Sequence, residues 1–204
     1  MSQNLGKDQS LKLPFPLILA STSKYRGALL SQLGWPFESM APGIDEDQLK
    51  NNLLLPIQIA ERLAKLKAEA IFIKRQDACV IGSDQVCTLN GEILSKPLTK
   101  EKAISQLLKM QNKQHELITA VSILCPQGER HFVNKTLLSM RPLNLKEIEH
   151  YIDQDMPLDC AGSYKLESHG IKLFHKIEMD DHTSIIGLPL IQLNNCLMQL
   201  GYPL

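Results

Sequence analysis

The chain of 204 residues carries no net charge, because 22 Lys and Arg offset 22 Asp and Glu. It therefore lacks the broad basic field that binding to nucleic acid or an anionic membrane draws on, although one local basic pocket remains compatible with neutrality. No Cys-x-x-Cys pair occurs among Cys79, Cys87, Cys125, Cys160 and Cys196, and their number is odd. Structural zinc and a disulfide framework thus find little support, and the expectation is a reduced, cytoplasmic chain. A long hydrophobic run is missing as well. Residues 1–13 are polar and mixed, expected as a flexible extension, and the run from Leu13 to Ala20 is interrupted by Pro14 and Pro16. That run is too short and too broken for a signal peptide or a membrane span. Also absent are the glycine fingerprint of a dinucleotide fold, the G-x-x-x-x-G-K-[ST] phosphate loop, the G-x-S-x-G nucleophile elbow and the H-E-x-x-H metal pattern.

What is there is a chain 44% hydrophobic, enough for a sizeable core. The length suits one domain of two lobes, over residues 14–204. Leu17-Ile18-Leu19-Ala20 reads as a short buried strand, followed by the hydroxyl-rich turn Ser21-Thr22-Ser23 and a helix from Tyr25 to Leu33. Ser23 suits its N-cap and Gly34 its C-terminal stop. Trp35 to Met40 reads as a second strand, and Pro56 opens a helix whose apolar residues follow a 3.6 period through Ile71. Cys79 to Gly82 is expected as a short strand leading into Ser83-Asp84-Gln85. Val86 to Leu94 then forms a hairpin around Asn90-Gly91. Thr99 caps a helix to Met110, Leu117 to Cys125 and His131 to Met140 are long strands, and Asn144 to Asp153 is a helix. A strand over Ile171 to Ile177 and a helix over Pro189 to Leu200 complete the pattern. A mixed twisted sheet flanked by helices is the simplest assembly, an α/β fold.

Several constellations have the makings of chemistry, and each has a plainer reading. Ser21 to Arg26 would offer the spare N–H groups of a helix start and one cation to phosphate, or be an ordinary cap with a surface Arg. Asp84 follows a buried strand, where active sites of α/β folds collect, or is a turn aspartate bonded to its own backbone. Glu38, Asp45, Glu46 and Asp47 offer carboxylates of the kind a hard cation takes, or a solvated acidic loop. Lys67 and Lys96 would neutralise phosphate, or face water. The segment from Cys160 to Glu167 is a small-residue turn followed by a carboxylate, suited to lining a pocket or to a close backbone approach at Gly162.

Taken together and in order, these segments resemble the Maf family: Leu17 to Ser23, Ile81-Gly82-Ser83-Asp84-Gln85-Val86-Cys87, Ser95-Lys96-Pro97-Leu98-Thr99, Cys160-Ala161-Gly162-Ser163 and Ile186-Gly187-Leu188-Pro189-Leu190. The likeness runs over residues 16 to 204. It implies an elongated, two-lobed fold similar to inosine triphosphatases, with a cleft between the lobes. It also implies a nucleoside triphosphate pyrophosphatase that releases a monophosphate and pyrophosphate. Asp84 matches the family's base, Arg26 its shared arginine and Lys96 its phosphate-binding lysine. Lys24, Gly27 and Ser95 depart from the residues usual at their positions.

The resemblance also distinguishes branches. Members acting on dTTP and UTP carry other residues where this chain has Tyr25, Gln85 and Glu167, and the branch acting on 7-methyl-GTP carries an aromatic, a Gln and a Glu. A methylated guanine is cationic. Tyr25 would stack on it, a cation–π gain of about 0.5–2 kcal/mol, and Glu167 would accept its N–H donors with the help of opposite charge. Gln85 would serve either the base or the phosphates. The implied cofactor is a divalent cation (Mg, Mn or Co), with Glu38 and Glu46 as candidate carboxylates and Ser21, Arg26, Lys67 and Lys96 on the phosphates. The implied partner is a small nucleotide, with no nucleic acid and no membrane, and a homodimer is left open. The alternatives are a dTTP/UTP pyrophosphatase and a nucleotide-binding regulator of division without important turnover.

Overall fold

The computed structural model describes residues 12–45 and 54–204. Most of the expected N-terminal extension, and Glu46, lie outside the described residues. The chain opens with a strand–helix–strand unit: β1 (Leu17–Leu19), α1 (Lys24–Ser31) and β2 (Phe37–Ser39). Ser23 caps α1, its Oγ accepting from the Arg26 N–H at 3.5 Å, and Gly34 turns the chain at φ +76°. The next helix, α2 (Pro56–Phe72), starts at a proline that needs no N–H partner there. Its buried stripe is Ile59, Ala60, Leu63, Ala64, Lys67, Ala68 and Ile71, so a lysine occupies a core position of an otherwise apolar face.

Three long antiparallel strands follow: β3 (Cys79–Leu89), β5 (Gln114–Cys125) and β6 (Gly128–Met140). β4 (Glu92–Ile93) folds back on the end of β3 through Asn90 and Gly91, both at positive φ as a type I′ hairpin requires. The sheet runs β2-β1-β3-β5-β6-β7, with β7 (Phe174–Glu178) at the far edge, and β1 pairs parallel with both β2 and β3. Helices α3 (Lys100–Met110), α4 (Leu145–Asp155) and α5 (Leu190–Gln199) complete a mixed α/β fold.

One expectation is corrected here. The strand does not stop at Gly82 to restart at Val86; β3 is continuous through Ser83, Asp84 and Gln85. A polar triplet of this kind reads as a turn because such residues usually seek their own backbone. Here each has a partner elsewhere in the fold. Ser83 Oγ donates to Gly187 O at 2.9 Å, Asp84 accepts from Lys67, and Gln85 donates to carbonyls of a later turn.

The two faces of the sheet are covered differently. α2 lies across one face, packing Ile59, Ala60, Leu63 and Ala64 on Val86, Ile118 and Ala120, and Ala68 and Ile71 on Ile18 and Val80. It can lie this close because Gly82 has no side chain: a Cβ there would sit 2.2 Å from Ala64 O. The opposite face holds two separate cores. One joins α1 and α5 to Leu19, Ile81 and Ile123; the other joins α3 and α4 to Cys87, Leu117 and Leu138. Between them runs a buried polar seam of Ser83, Thr119, Thr136 and Ser184. Thr119 Oγ1 donates to Ser184 O at 2.9 Å, and Ser184 Oγ donates to Asp181 O at 2.6 Å.

Candidate active site

The site begins at an interruption in pairing. Opposite β5, the edge of β3 pairs with β1 as far as Ile81 and with β4 from Thr88, so residues 82–87 have no strand partner on that side among the described residues. A cleft of about 1020 Å³, open mouth included, occupies this gap. Asp84 points from β3 toward α2, where Lys67 Nζ lies 2.6 Å from its Oδ1; both side chains are 6% exposed. The other carboxylate oxygen, Oδ2, is buried and has no hydrogen-bond partner among the described residues. A buried carboxylate oxygen left unpaired is costly, and a water, an ion or a ligand can complete it.

On one side of Asp84 the cleft is cationic and rich in hydroxyls. Ser21, Thr22, Ser23, Lys24 and Arg26 line it together with Lys67 and Lys96. Ser21 Oγ accepts from the Ser23 N–H at 3.1 Å, which tightens the turn into α1. Arg26 Nε donates to Gly187 O at 2.9 Å, the carbonyl that also receives Ser83 Oγ, so the guanidinium is fixed against β3. Lys96 stands exposed on the rim. Its loop is tied down by Gln106, which donates from Nε2 to Ser95 O at 2.8 Å and accepts at Oε1 from Ser163 Oγ at 2.5 Å. Leu98 N–H donates to Leu158 O at 3.1 Å, which fixes the other flank.

The other side is more apolar, lined by Val86, Leu94, Leu117, Tyr164 and Leu166, with Tyr25 and Glu167 at its rim. Gln85 Nε2 donates to Ser184 O at 2.8 Å and Ile185 O at 3.0 Å. Its donors are thus consumed, and the amide oxygen is what it can offer a ligand. Tyr25 is half-buried, and Lys24 Nζ sits 5.2 Å from its ring centroid. Glu167 is exposed. Burial pushes the thiols of Cys87 and Cys160 up to about 12, so at neutral pH both line the cleft as protonated groups rather than as nucleophiles.

The structure therefore brings Ser21, Tyr25, Arg26, Lys67, Asp84, Gln85, Lys96 and Glu167 to one continuous cleft. Glu38 is elsewhere. It pairs in register with Ile18, on the α2 side of the sheet, and its carboxylate meets Arg75 Nη1 at 3.1 Å. Among the described residues no group of three His, Cys, Asp or Glu is arranged to hold a metal ion. Sequence reasoning missed Asp159, which lines both halves of the cleft. Partial burial works against its charge, but the Lys165 ammonium at 3.5 Å, a backbone N–H and the Cys160 thiol together hold its carboxyl below the usual range. Its one sequence signal was an acid directly before the Cys160 to Ser163 segment. Gln106 was also missed, since nothing in its helix marks it.

The five cysteines are free, and no described helix is long and apolar enough to cross a membrane. The sequence is 47% identical over 181 residues to a 7-methyl-GTP pyrophosphatase of Bdellovibrio bacteriovorus, covering 89% of this chain and 95% of that protein. It is 44% identical to a 7-methyl-GTP pyrophosphatase of Xanthomonas axonopodis pv. citri, covering 91% of this chain and 97% of that one. In fold it is similar to the Staphylococcus aureus Ham1 protein, with a TM-score of 0.54 at 18% identity over 90% of this chain and 98% of the other. The profile of the family described as Maf-like protein matches residues 16–200, and with nearly the whole chain so matched, the protein belongs to the Maf family.

Proposed function

We propose that the protein is a nucleoside triphosphate pyrophosphatase that hydrolyses 7-methyl-GTP to 7-methyl-GMP and pyrophosphate, clearing a modified nucleotide from the cytoplasm. The observation that carries this reading is the position of Asp84. It lines the cleft beside Arg26, Lys67 and Lys96 as well as Val86 and Leu94, which suits it to act at an α-phosphate when the phosphate chain fills the cationic part and the base the apolar part. The names of the Bdellovibrio and Xanthomonas relatives support the same substrate.

The chemistry follows from the residues. Asp84 Oδ2 accepts a proton from water as the water oxygen bonds to the α-phosphorus and the bond to the α–β bridging oxygen breaks. Pyrophosphate leaves with the electron pair. Lys67 holds the carboxylate in place by its Oδ1. Arg26, Lys96 and the turn at Ser21 to Ser23 face the phosphate oxygens on which charge develops. At the base end, Tyr25 offers its ring face, Glu167 an anionic acceptor and Gln85 an amide oxygen.

A divalent cation fits this site. It takes hard oxygen donors, and Asp84 Oδ2 is one without a hydrogen-bond partner among the described residues; phosphate oxygens and water would fill most of the remaining positions. When bound, such a cation supplies charge shielding on the phosphates.

The test is a panel of 7-methyl-GTP, GTP, dTTP and UTP scored for pyrophosphate release, with and without chelator. The expected result is highest kcat/KM on 7-methyl-GTP, pyrophosphate as the first product, and loss of turnover in excess chelator. Orthophosphate as first product would overturn the reaction, preference for dTTP or UTP the substrate, and absence of turnover the assignment as an enzyme.

A further inference from the structure

Glu167 carries the charge complementarity to a cationic base, yet it stands exposed on a loop and has no hydrogen bond among the described residues. What holds it in place lies on either side of it in sequence. Two residues before it, the Lys165 N–H donates to Tyr151 Oη at 2.9 Å. The Lys165 ammonium donates to the carbonyls of Asp155 at 3.1 Å and Met156 at 3.3 Å. Directly after it, Ser168 Oγ and His169 Nδ1 meet Asp155 Oδ1 at 3.0 and 2.6 Å. The loop is also closed on itself, with Ser168 N–H and Gly170 N–H both bonded to Lys165 O. A side chain at Gly170 would collide with that carbonyl, since its Cβ would lie 2.3 Å away.

All the outer anchors belong to the last turns of α4. The helix end explains Lys165, because an ammonium over terminal carbonyls is favourable there, whereas Asp155 is held by the Tyr151 hydroxyl of its own helix and by two groups of the loop. An anion in the last turn opposes the helix dipole, and this one has a side chain only 1% exposed. Both donors to Asp155 Oδ1 come from the two residues that follow Glu167. We infer that Asp155 is a positioning residue that, through Ser168 and His169, holds Glu167 at the base end of the cleft and so sets the preference for a cationic purine. This rests on the reading given under Proposed function.

The experiment compares kcat/KM for 7-methyl-GTP and for dTTP in the wild-type protein and in Asp155→Ala, His169→Ala and His169→Asn, with thermal unfolding midpoints measured alongside. Loss of one charge-assisted contact at Glu167 lowers the 7-methyl-GTP to dTTP ratio about tenfold in both alanine variants, with dTTP turnover changing less than about threefold. His169→Asn keeps a donor near the position of Nδ1 and should hold the ratio within about twofold of wild type. The His169 side chain is 48% exposed, so its alanine variant decides the matter even where Asp155→Ala lowers the midpoint. An unchanged ratio in His169→Ala, or equal losses on both nucleotides, overturns the positioning role. A wild-type protein with no preference for 7-methyl-GTP overturns the substrate reading and this inference with it, and that failure is seen before any substitution is made.

Discussion

The two ends of the cleft are built by opposite means. At the reactive end, Asp84 and Lys67 project from the middle of a long strand and a long helix, and neither side chain is more than 6% exposed. At the proposed base end, Glu167 stands exposed on a loop, held by contacts made through its neighbours. The first arrangement fixes charge in a desolvated place, where a small displacement costs much. The second lets recognition be altered through residues that touch neither the phosphates nor the water.

The contrast is open to breaking. The largest effect is expected at the rigid end. Asp84→Asn keeps the shape and removes the base, so kcat should fall about 10²–10⁴-fold in a folded protein. Near-normal kcat in that variant removes Asp84 from the reaction. At the base end, Glu167→Gln should lower the ratio of kcat/KM for 7-methyl-GTP over dTTP by about 10–100-fold. Tyr25→Ala should lower the same ratio, and Tyr25→Trp should preserve it. A ratio that stays constant in these variants, measured by steady-state kinetics, would return the dTTP/UTP alternative to contention.

A third substitution tests whether the rigid end owes its geometry to the close approach of α2. In Gly82→Ala, the new methyl meets Ala64 O and Ala68 N at 2.2 and 2.7 Å. The helix must shift, which should cost about 1–3 kcal/mol in denaturant unfolding and reduce activity on all nucleotides alike. Wild-type stability there would mean that α2 is not seated by this contact. The smallest effect is expected from Glu38→Gln, because the carboxylate serves an exposed pair with Arg75 away from the cleft. Its kcat/KM should stay within about twofold of wild type, and a tenfold drop would bring Glu38 back as a metal-side carboxylate.

Local signals carried much of the fold. Ser23 and Thr99 cap their helices with the hydroxyls the sequence offered, Pro56 opens α2, and Asn90-Gly91 turns the hairpin. The continuity of β3 was hidden because the partners of Ser83 and Gln85 lie about 100 positions along the chain. Much of the site was legible through the ordered segments that resemble the Maf family. Glu38 shows the limit. On a three-residue strand the side on which a residue falls is set by pairing with β1, which no local pattern reveals. Asp155 and Gln106 were invisible for a related reason, since each acts on a loop that reaches it only in the folded chain.

The clamp of Lys67 on one oxygen of Asp84 bears on the handedness of the product. With Oδ1 engaged by Lys67, Oδ2 is the oxygen left to receive a proton from water in the proposed reaction, a direct attack of that water on phosphorus. A single displacement of this kind turns the phosphorus centre inside out like an umbrella. With a substrate whose α-phosphorus is made chiral by sulfur and heavy oxygen, the monophosphate should emerge with inverted configuration. Retention would require two successive displacements, and therefore a covalent intermediate.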